Sequence, residues 1–231
     1  MDFKTIYATQ AEAYEAMIAP EDYEGNLLPA LERIRPMSQK HVVEFGAGTG
    51  RLTCLLAPQA AHIHACDASA HMLSIAERKL RAGGWQNWQL HHADNARLPL
   101  PDHTADIAIE GWSFAHACGW FPDSWQQEVG QMIAEMQRIL KPGGTFILLE
   151  TLGTGHATPT PPAPHLAKLY AWWEETYQLN HTWIRTDYQF ASPAEGAYLT
   201  RFFFGDELAD QILAEQLTIL PECTGIWWQT V

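Results

Sequence analysis

The chain is 231 residues long, enough for one domain with a real core and short of two independent folding units. Its 27 acidic residues against 14 basic ones give a formal net charge of −13, which repels phosphate backbones and anionic headgroups and argues against nucleic-acid and membrane partners. The four cysteines, Cys54, Cys66, Cys118 and Cys223, have no CxxC pairing. The N-terminal segment lacks a basic start followed by an apolar run, and no apolar stretch nears the roughly 18 residues of a membrane span, so a cytoplasmic protein with reduced thiols is expected.

Short apolar runs alternate with amphipathic segments, the pattern of an α/β layer fold. Residues 8–19 and 22–34 read as two entry helices, the second with Asp22 as N-cap and Pro36 past its end. Residues 1–36 are expected to form a helical lid. His41–Phe45 is a short apolar strand that runs straight into Gly46-Ala47-Gly48-Thr49-Gly50, and the helix after it continues to about Ala57. A second strand, His62–Cys66, ends at Asp67, and Ser69 caps a helix that stops at Gly83-Gly84. Strands follow at Asn87–His92 and Ala105–Glu110. Asp123 is expected to cap a helix whose Trp125, Val129, Met132, Met136 and Ile139 recur at helical spacing. Lys141-Pro142-Gly143-Gly144 breaks it, and Thr145–Leu149 is a buried strand. This repeated strand-helix order over residues 40–150 is that of a parallel sheet with right-handed crossovers. Residues 151–231 begin with a proline-rich surface segment, 153–164. A helix near 165–179, a strand near 183–190, helical material near 193–216 and a strand near 224–231 then complete the same sheet, making one domain over residues 1–231.

The glycine loop carries the chemistry. It follows a strand and opens a helix, so its backbone is expected to approach a ligand whose polar atoms meet free amides at the helix N-terminus. The spacing is GxGxG, with Arg51 where a dinucleotide fingerprint has its third glycine or alanine. Glu44 places negative charge where a pyrophosphate is unwelcome and an ammonium or sulfonium welcome. Asp67, at the end of the next strand, is placed to accept from both ribose hydroxyls. Met72, one turn into the following helix, reads equally as a platform for adenine and as a core methionine. Asp94, in His92-Ala93-Asp94-Asn95, is a candidate acceptor for the adenine amino group, or a turn residue.

With these motifs in register the chain resembles the class I S-adenosylmethionine-dependent methyltransferases, particularly the small-molecule group similar to the ubiquinone and menaquinone biosynthesis enzymes. VVEFGAGTG, HACDAS, HADNARLPLPDHTADIAIEG and RILKPGGTFILLE carry the resemblance over roughly residues 40–150. It implies a Rossmann-like α/β fold, a seven-stranded, mostly parallel sheet with helices on both faces and an antiparallel last strand. The implied cofactor is S-adenosyl-L-methionine, leaving as S-adenosyl-L-homocysteine. It implies that Gly46, Ala47 and Gly48 line the methionine portion, that Glu44 stands near its amino group, that Asp67 binds ribose, that Asp94 and Asn95 hold adenine, and that Glu110 faces the methionine and acceptor pocket.

Methyl transfer from a sulfonium is an in-line displacement, so the expected enzyme mostly aligns a small-molecule acceptor in a dry site. Glu110 and His116 are the candidates for moving a proton, beside the plainer reading of His116 as a core or surface histidine. Eight of the ten tryptophans follow Gly111, and Trp112 and Trp120 are the candidate walls of an acceptor pocket. His62 with His64, and His91 with His92, lack the further ligands of a metal site, and none is expected. TDYQF, FFFGDELAD and PECTGIWW stand out without a chemistry attached. The alternatives are an NAD(P)-dependent oxidoreductase, which shares the fold class, and a catalytically silent cofactor-binding protein.

Overall fold

The computed structural model describes residues 3–231. Its centre is a seven-stranded sheet built from β1 (His41–Phe45), β2 (His62–Asp67), β3 (Trp88–His92), β4 (Ala105–Gly111), β5 (Leu140–Thr154), β6 (Asn180–Arg185) and β9 (Glu222–Thr230). Their order is β3-β2-β1-β4-β5-β9-β6, and only β9 runs antiparallel to its neighbours. Order reverses between β1 and β4, so the carboxyl ends of these two strands open a crevice there.

Alternation along each strand divides the interior into two cores. Val42, Ile63, Ile107, Ile109 and Ile147 face α3 (Leu27–Ile34) and α4 (Arg51–Leu56). Val43, Phe45, Ala108, Phe146 and Leu148 face α7 (Trp125–Ile139) and α8 (Pro164–Thr176), with Trp173 and Trp227 fully buried on that side. Ser69 caps α5 (Ala70–Ala82), accepting the Met72 amide on its hydroxyl at 3.3 Å.

Several expected boundaries shift. The first entry helix is two, α1 (Phe3–Thr9) and α2 (Ala11–Ile18), and the second starts only at Leu27. Asp22 still serves it from a distance, its carboxylate accepting the amides of Asn26 and Leu27 at 2.8 and 3.0 Å, because its own backbone is left-handed and outside the helix. Asp123 is not the cap of α7; Ser124 holds that position through its carbonyl. The Lys141–Gly144 stretch does not interrupt β5, which absorbs it with a bulge opposite Ala105–Ile107. The strand expected near 183–190 is divided into β6 and β7 (Tyr188–Gln189), the latter paired with β8 (Ile219–Leu220) in a small separate sheet. Gly205, at φ 92°, separates α9 (Pro193–Phe204) from α10 (Asp206–Ala214).

The N-terminal helices and the segment 186–189 meet beside the crevice. Met72 and Ile75 of α5 pack against Ala11, Tyr7 and Tyr14. Residues 20–23 are zipped onto 186–189, with Gln189 N–H donating to the Pro20 carbonyl and Asp22 N–H to that of Thr186. Among the described residues no helix is long and apolar enough to cross a membrane.

Candidate cofactor and acceptor site

Beyond Phe45 the backbone turns through Gly46 and Gly48 at φ of 63° and 54°, where side chains are disfavoured. A Cβ at Gly46 would overlap the Ser113 side chain, and one at Gly48 would stand 3.4 Å from Met72 Cε. Asp67 pins this turn: Oδ2 accepts the Gly48 amide at 2.8 Å and Oδ1 the Ser69 amide at 2.7 Å. The Ala47 amide donates to the Cys66 carbonyl at 2.9 Å. The loop amides of Ala47 and Gly48 are therefore not free, contrary to expectation, because the neighbouring strand end is close enough to take them. Each Asp67 oxygen keeps lone-pair capacity for a ribose hydroxyl. Burial pushes the Asp67 pKa up, against the two amides that favour its charge.

Of the other residues singled out, Met72 is buried beside Gly48, and Asn95 reaches the same turn, its amide nitrogen 3.4 Å from a Cβ placed on Gly46. Asn95 Oδ1 is buried without a hydrogen-bond partner, and so is Thr49 Oγ1. Asp94 is exposed and accepts the Ala96 amide at 2.8 Å in its own turn. Glu44 lies beneath the loop rather than in either cavity described below. It accepts the Thr53 hydroxyl at 2.5 Å, and burial pushes its pKa to about 8.

Glu110 closes β4 in full burial. Its Oε2 accepts the Ser113 hydroxyl and the amides of Ser113 and Phe114, while Oε1 has no partner. Burial pushes its pKa to about 8. Glu110 lines neither cavity; Ser113 stands between it and Gly46.

A narrow cavity of about 30 Å³ runs along Gly46–Thr49 and is bordered by Tyr14, Ile18, Arg51 and Trp112. These same four residues border a much larger cavity of about 570 Å³, so the two adjoin. Arg51 stacks its guanidinium 4.0 Å from the Trp112 ring centroid and donates to Glu21 Oε2 at 2.7 Å. Trp112 thus belongs to both cavities, whereas Trp120 and His116 belong to the large one. His116 Nε2 and the Tyr7 hydroxyl share a hydrogen bond of 2.7 Å, and the imidazole stacks on Trp120. Desolvation lowers the His116 pKa to about 4, which makes it a weak base near neutrality.

Sequence reasoning missed much of the large cavity. Tyr7 and Tyr14, Glu21, Glu150, Tyr188, Phe203 and Glu222 contribute to its walls. The one signal was the unexplained TDYQF, FFFGDELAD and PECTGIWW segments: the first and third supply Tyr188 and Glu222, and the second begins at the Phe203 wall. Arg51, read only as a missing glycine, is the hinge between the cavities.

The parallel sheet with one antiparallel strand is the fold of solved S-adenosylmethionine-dependent methyltransferases, and the glycine turn pinned by a carboxylate offers partners suited to that cofactor. The left-handed turn leaves room that side chains would take, Asp67 keeps acceptor capacity for a diol, and the orphaned atoms of Asn95 and Thr49 await partners. Residues 43–148 match the family described as "Methyltransferase domain". The demethylmenaquinone methyltransferase of Symbiobacterium thermophilum is 32% identical over 114 residues, 48% of this chain and 42% of that protein. Its counterpart in Geobacillus stearothermophilus is 29% identical over 124 residues, 52% of this chain and 49% of the other. The chain thus spans about half the length of these curated relatives. A solved S-adenosylmethionine-dependent methyltransferase from Aquifex aeolicus superposes with a TM-score of 0.60 at 14% identity, covering 97% of this chain and 98% of its own.

Proposed function

We propose that this chain transfers the methyl group of S-adenosylmethionine to a small organic acceptor bound in the large cavity. The observation that carries this reading is the continuity of the two cavities through Tyr14, Ile18, Arg51 and Trp112. It sets the glycine loop, with its narrow cavity of about 30 Å³, against a chamber of about 570 Å³ that has several aromatic walls. S-adenosylmethionine supplies an electrophilic methyl on a sulfonium sulfur. Gly46, Ala47 and Gly48 would flank its methionine portion, Asp67 its ribose, and Met72 and Asn95 its base.

What remains for the protein is alignment and the exclusion of water, and orientation of this kind is worth on the order of 7–11 kcal/mol. Tyr7, Tyr14 and Phe203 are among the aromatic walls that would serve this exclusion. Neither residue singled out for proton transfer is needed in this reading: Glu110 is turned to Ser113 and Phe114, and His116 is a weak base. The relatives' acceptor does not carry over with the domain, since the family match ends at residue 148 and Tyr7, Glu21, Glu150, Tyr188 and Glu222 lie outside it.

Calorimetric titration with S-adenosylhomocysteine and with NAD tests the cofactor, and labelled cofactor incubated with a metabolite extract tests the transfer. Tight binding of S-adenosylhomocysteine, no binding of NAD and one labelled small product are expected. Binding of NAD alone would sink the reading in favour of an oxidoreductase, and cofactor binding with no labelled product would favour a silent binding protein.

A further inference from the structure

The walls of the large cavity carry three carboxyl groups, Glu21, Glu150 and Glu222, all but closed off from bulk solvent. Among the described residues their one guanidinium or ammonium counterpart in those walls is Arg51, already paired with Glu21 at 2.7 Å and stacked on Trp112. The other basic side chains there are His116 and His165, and His116 stays neutral through the physiological range. Among the described residues neither Glu150 nor Glu222 has an ion-pair partner, which is costly for buried acids.

The hydrogen bonding of Glu222 is incomplete as well. Glu222 Oε1 accepts the Thr151 hydroxyl at 2.7 Å, but Oε2 is buried with no partner. An ionised Glu222 therefore has acceptor capacity left at Oε2, with the Thr154 hydroxyl as the other polar side chain close to this carboxylate. Glu150 Oε1 accepts the Ala115 amide at 2.9 Å. Around these acids stand the rings of Tyr7, Tyr188, Phe203 and Trp120, whose faces attract a cation and shield it from water.

We propose that the acceptor carries an organic ammonium group on an aromatic-sized apolar body, the ammonium serving as a handle drawn to the acidic walls of Glu222 and Glu150 while an uncharged nucleophilic atom elsewhere in the molecule takes the methyl, and the body lying against the aromatic walls. This inference rests on the methyltransferase reading for its biological use but not for its test. An N–H⁺ group supplies a donor to Glu222 Oε2 and a charge that favours the ionised form of these acids, whereas a carboxylate or phosphate would bring neither. Burial and the neighbouring Glu21 push the Glu222 pKa to about 8, as expected of an acid whose counter-charge arrives with the ligand.

The test is calorimetry on the whole chain saturated with S-adenosylhomocysteine, using 2-phenylethylamine, its neutral analogue 2-phenylethanol and the anionic 3-phenylpropionate. The amine should bind saturably and at least about 10-fold more tightly than the alcohol, with the carboxylate weaker still. Glu222→Gln should weaken the amine by about 10-fold and leave the alcohol and S-adenosylhomocysteine unchanged; Glu150→Gln should repeat the pattern if the first variant folds poorly. No saturable amine binding, an alcohol or carboxylate bound as tightly as the amine, or variants indifferent to the amine's charge would overturn the proposal. Titration with S-adenosylhomocysteine alone separates the two readings: its failure would remove the methyltransferase assignment, while the charge preference of the cavity would still be measured on the unsaturated chain.

Discussion

At the scale of single residues, Gly48 and Asp67 act on one another. The Asp67 carboxylate holds the Gly48 amide, and the Gly48 backbone sits where a β-branched residue is disfavoured. Gly48→Val is expected to abolish measurable S-adenosylhomocysteine binding. The valine side chain would fill the turn beside Met72 Cε, and the left-handed backbone costs about 1–2 kcal/mol, a loss a folded protein tolerates. Asp67→Ala removes the brace and the diol acceptor together and should weaken binding by about 100-fold or more. Calorimetry, with circular dichroism to check folding, reads both, and retained affinity in both variants would show that the site is misplaced. The two tryptophans separate by the same reasoning. Trp120→Ala should raise the acceptor KM and leave cofactor affinity alone, whereas Trp112→Ala should disturb both, since Trp112 borders both cavities and supports Arg51.

At the scale of elements, the N-terminal helices are held over the cavity by interior contacts. The ion pairs Arg78–Glu12 and Lys79–Glu15 reach α2 from α5; the first is exposed and contributes little, the second is half-buried. More telling are the Tyr7–His116 hydrogen bond, the Ser69 hydroxyl donating to the Tyr7 carbonyl, and the Met72, Ile75, Tyr14 contacts. Tyr7→Phe leaves His116 Nε2 without its protein partner, at a cost of about 1–3 kcal/mol if water cannot replace it. Hydrogen exchange across residues 3–18 should quicken in this variant while that of β1 and β4 stays unchanged. Equal protection of residues 3–18 in both proteins would show that the bond does not hold α1 in place.

At the scale of the whole molecule, four buried carboxyls have raised pKa values: Glu44, Glu110 and Glu222 at about 8 and Glu150 well above the usual range, all chiefly through burial. Each keeps its proton in the folded state where the unfolded chain, titrating near 4.5, has lost it. The folded state then binds more protons than the unfolded one, and stability falls as pH rises from about 4.5 to about 8. His116, lowered to about 4, works in the opposite direction, but only between about 4 and its ordinary 6.5. Above pH 6.5 the carboxyls dominate. The melting temperature should therefore drop on the order of 5 °C between pH 6.5 and 8.5, and Glu44→Gln, which preserves an acceptor for Thr53, should flatten the slope. Thermal melts across that range check the sign, and a rise with pH would contradict it.

The strand positions, the glycine turn and Asp67 at the end of β2 were readable from the amino-acid sequence because each rests on local rules. β-branched runs form strands, left-handed turns favour glycine, and a carboxylate at a strand end lies beside the next loop. The seven-stranded sheet with its antiparallel last strand and the cofactor class came from the family resemblance that these motifs carry. Boundaries failed where neighbours override local signals: Asp22 caps from outside its helix, the Lys141–Gly144 stretch is drawn into β5 by pairing, and β7 leaves the main sheet to join β8. The acceptor cavity was out of reach for a deeper reason. Its parts are brought together only by packing over long separations: Tyr7 meets His116 across 109 positions, Arg51 meets Glu21 across 30, and Thr151 meets Glu222 across 71. None of these pairs leaves a spacing in the sequence, so the glycine turn was legible from its residues alone, while the chamber it opens on, and the uncompensated acids inside it, were decided by the tertiary structure.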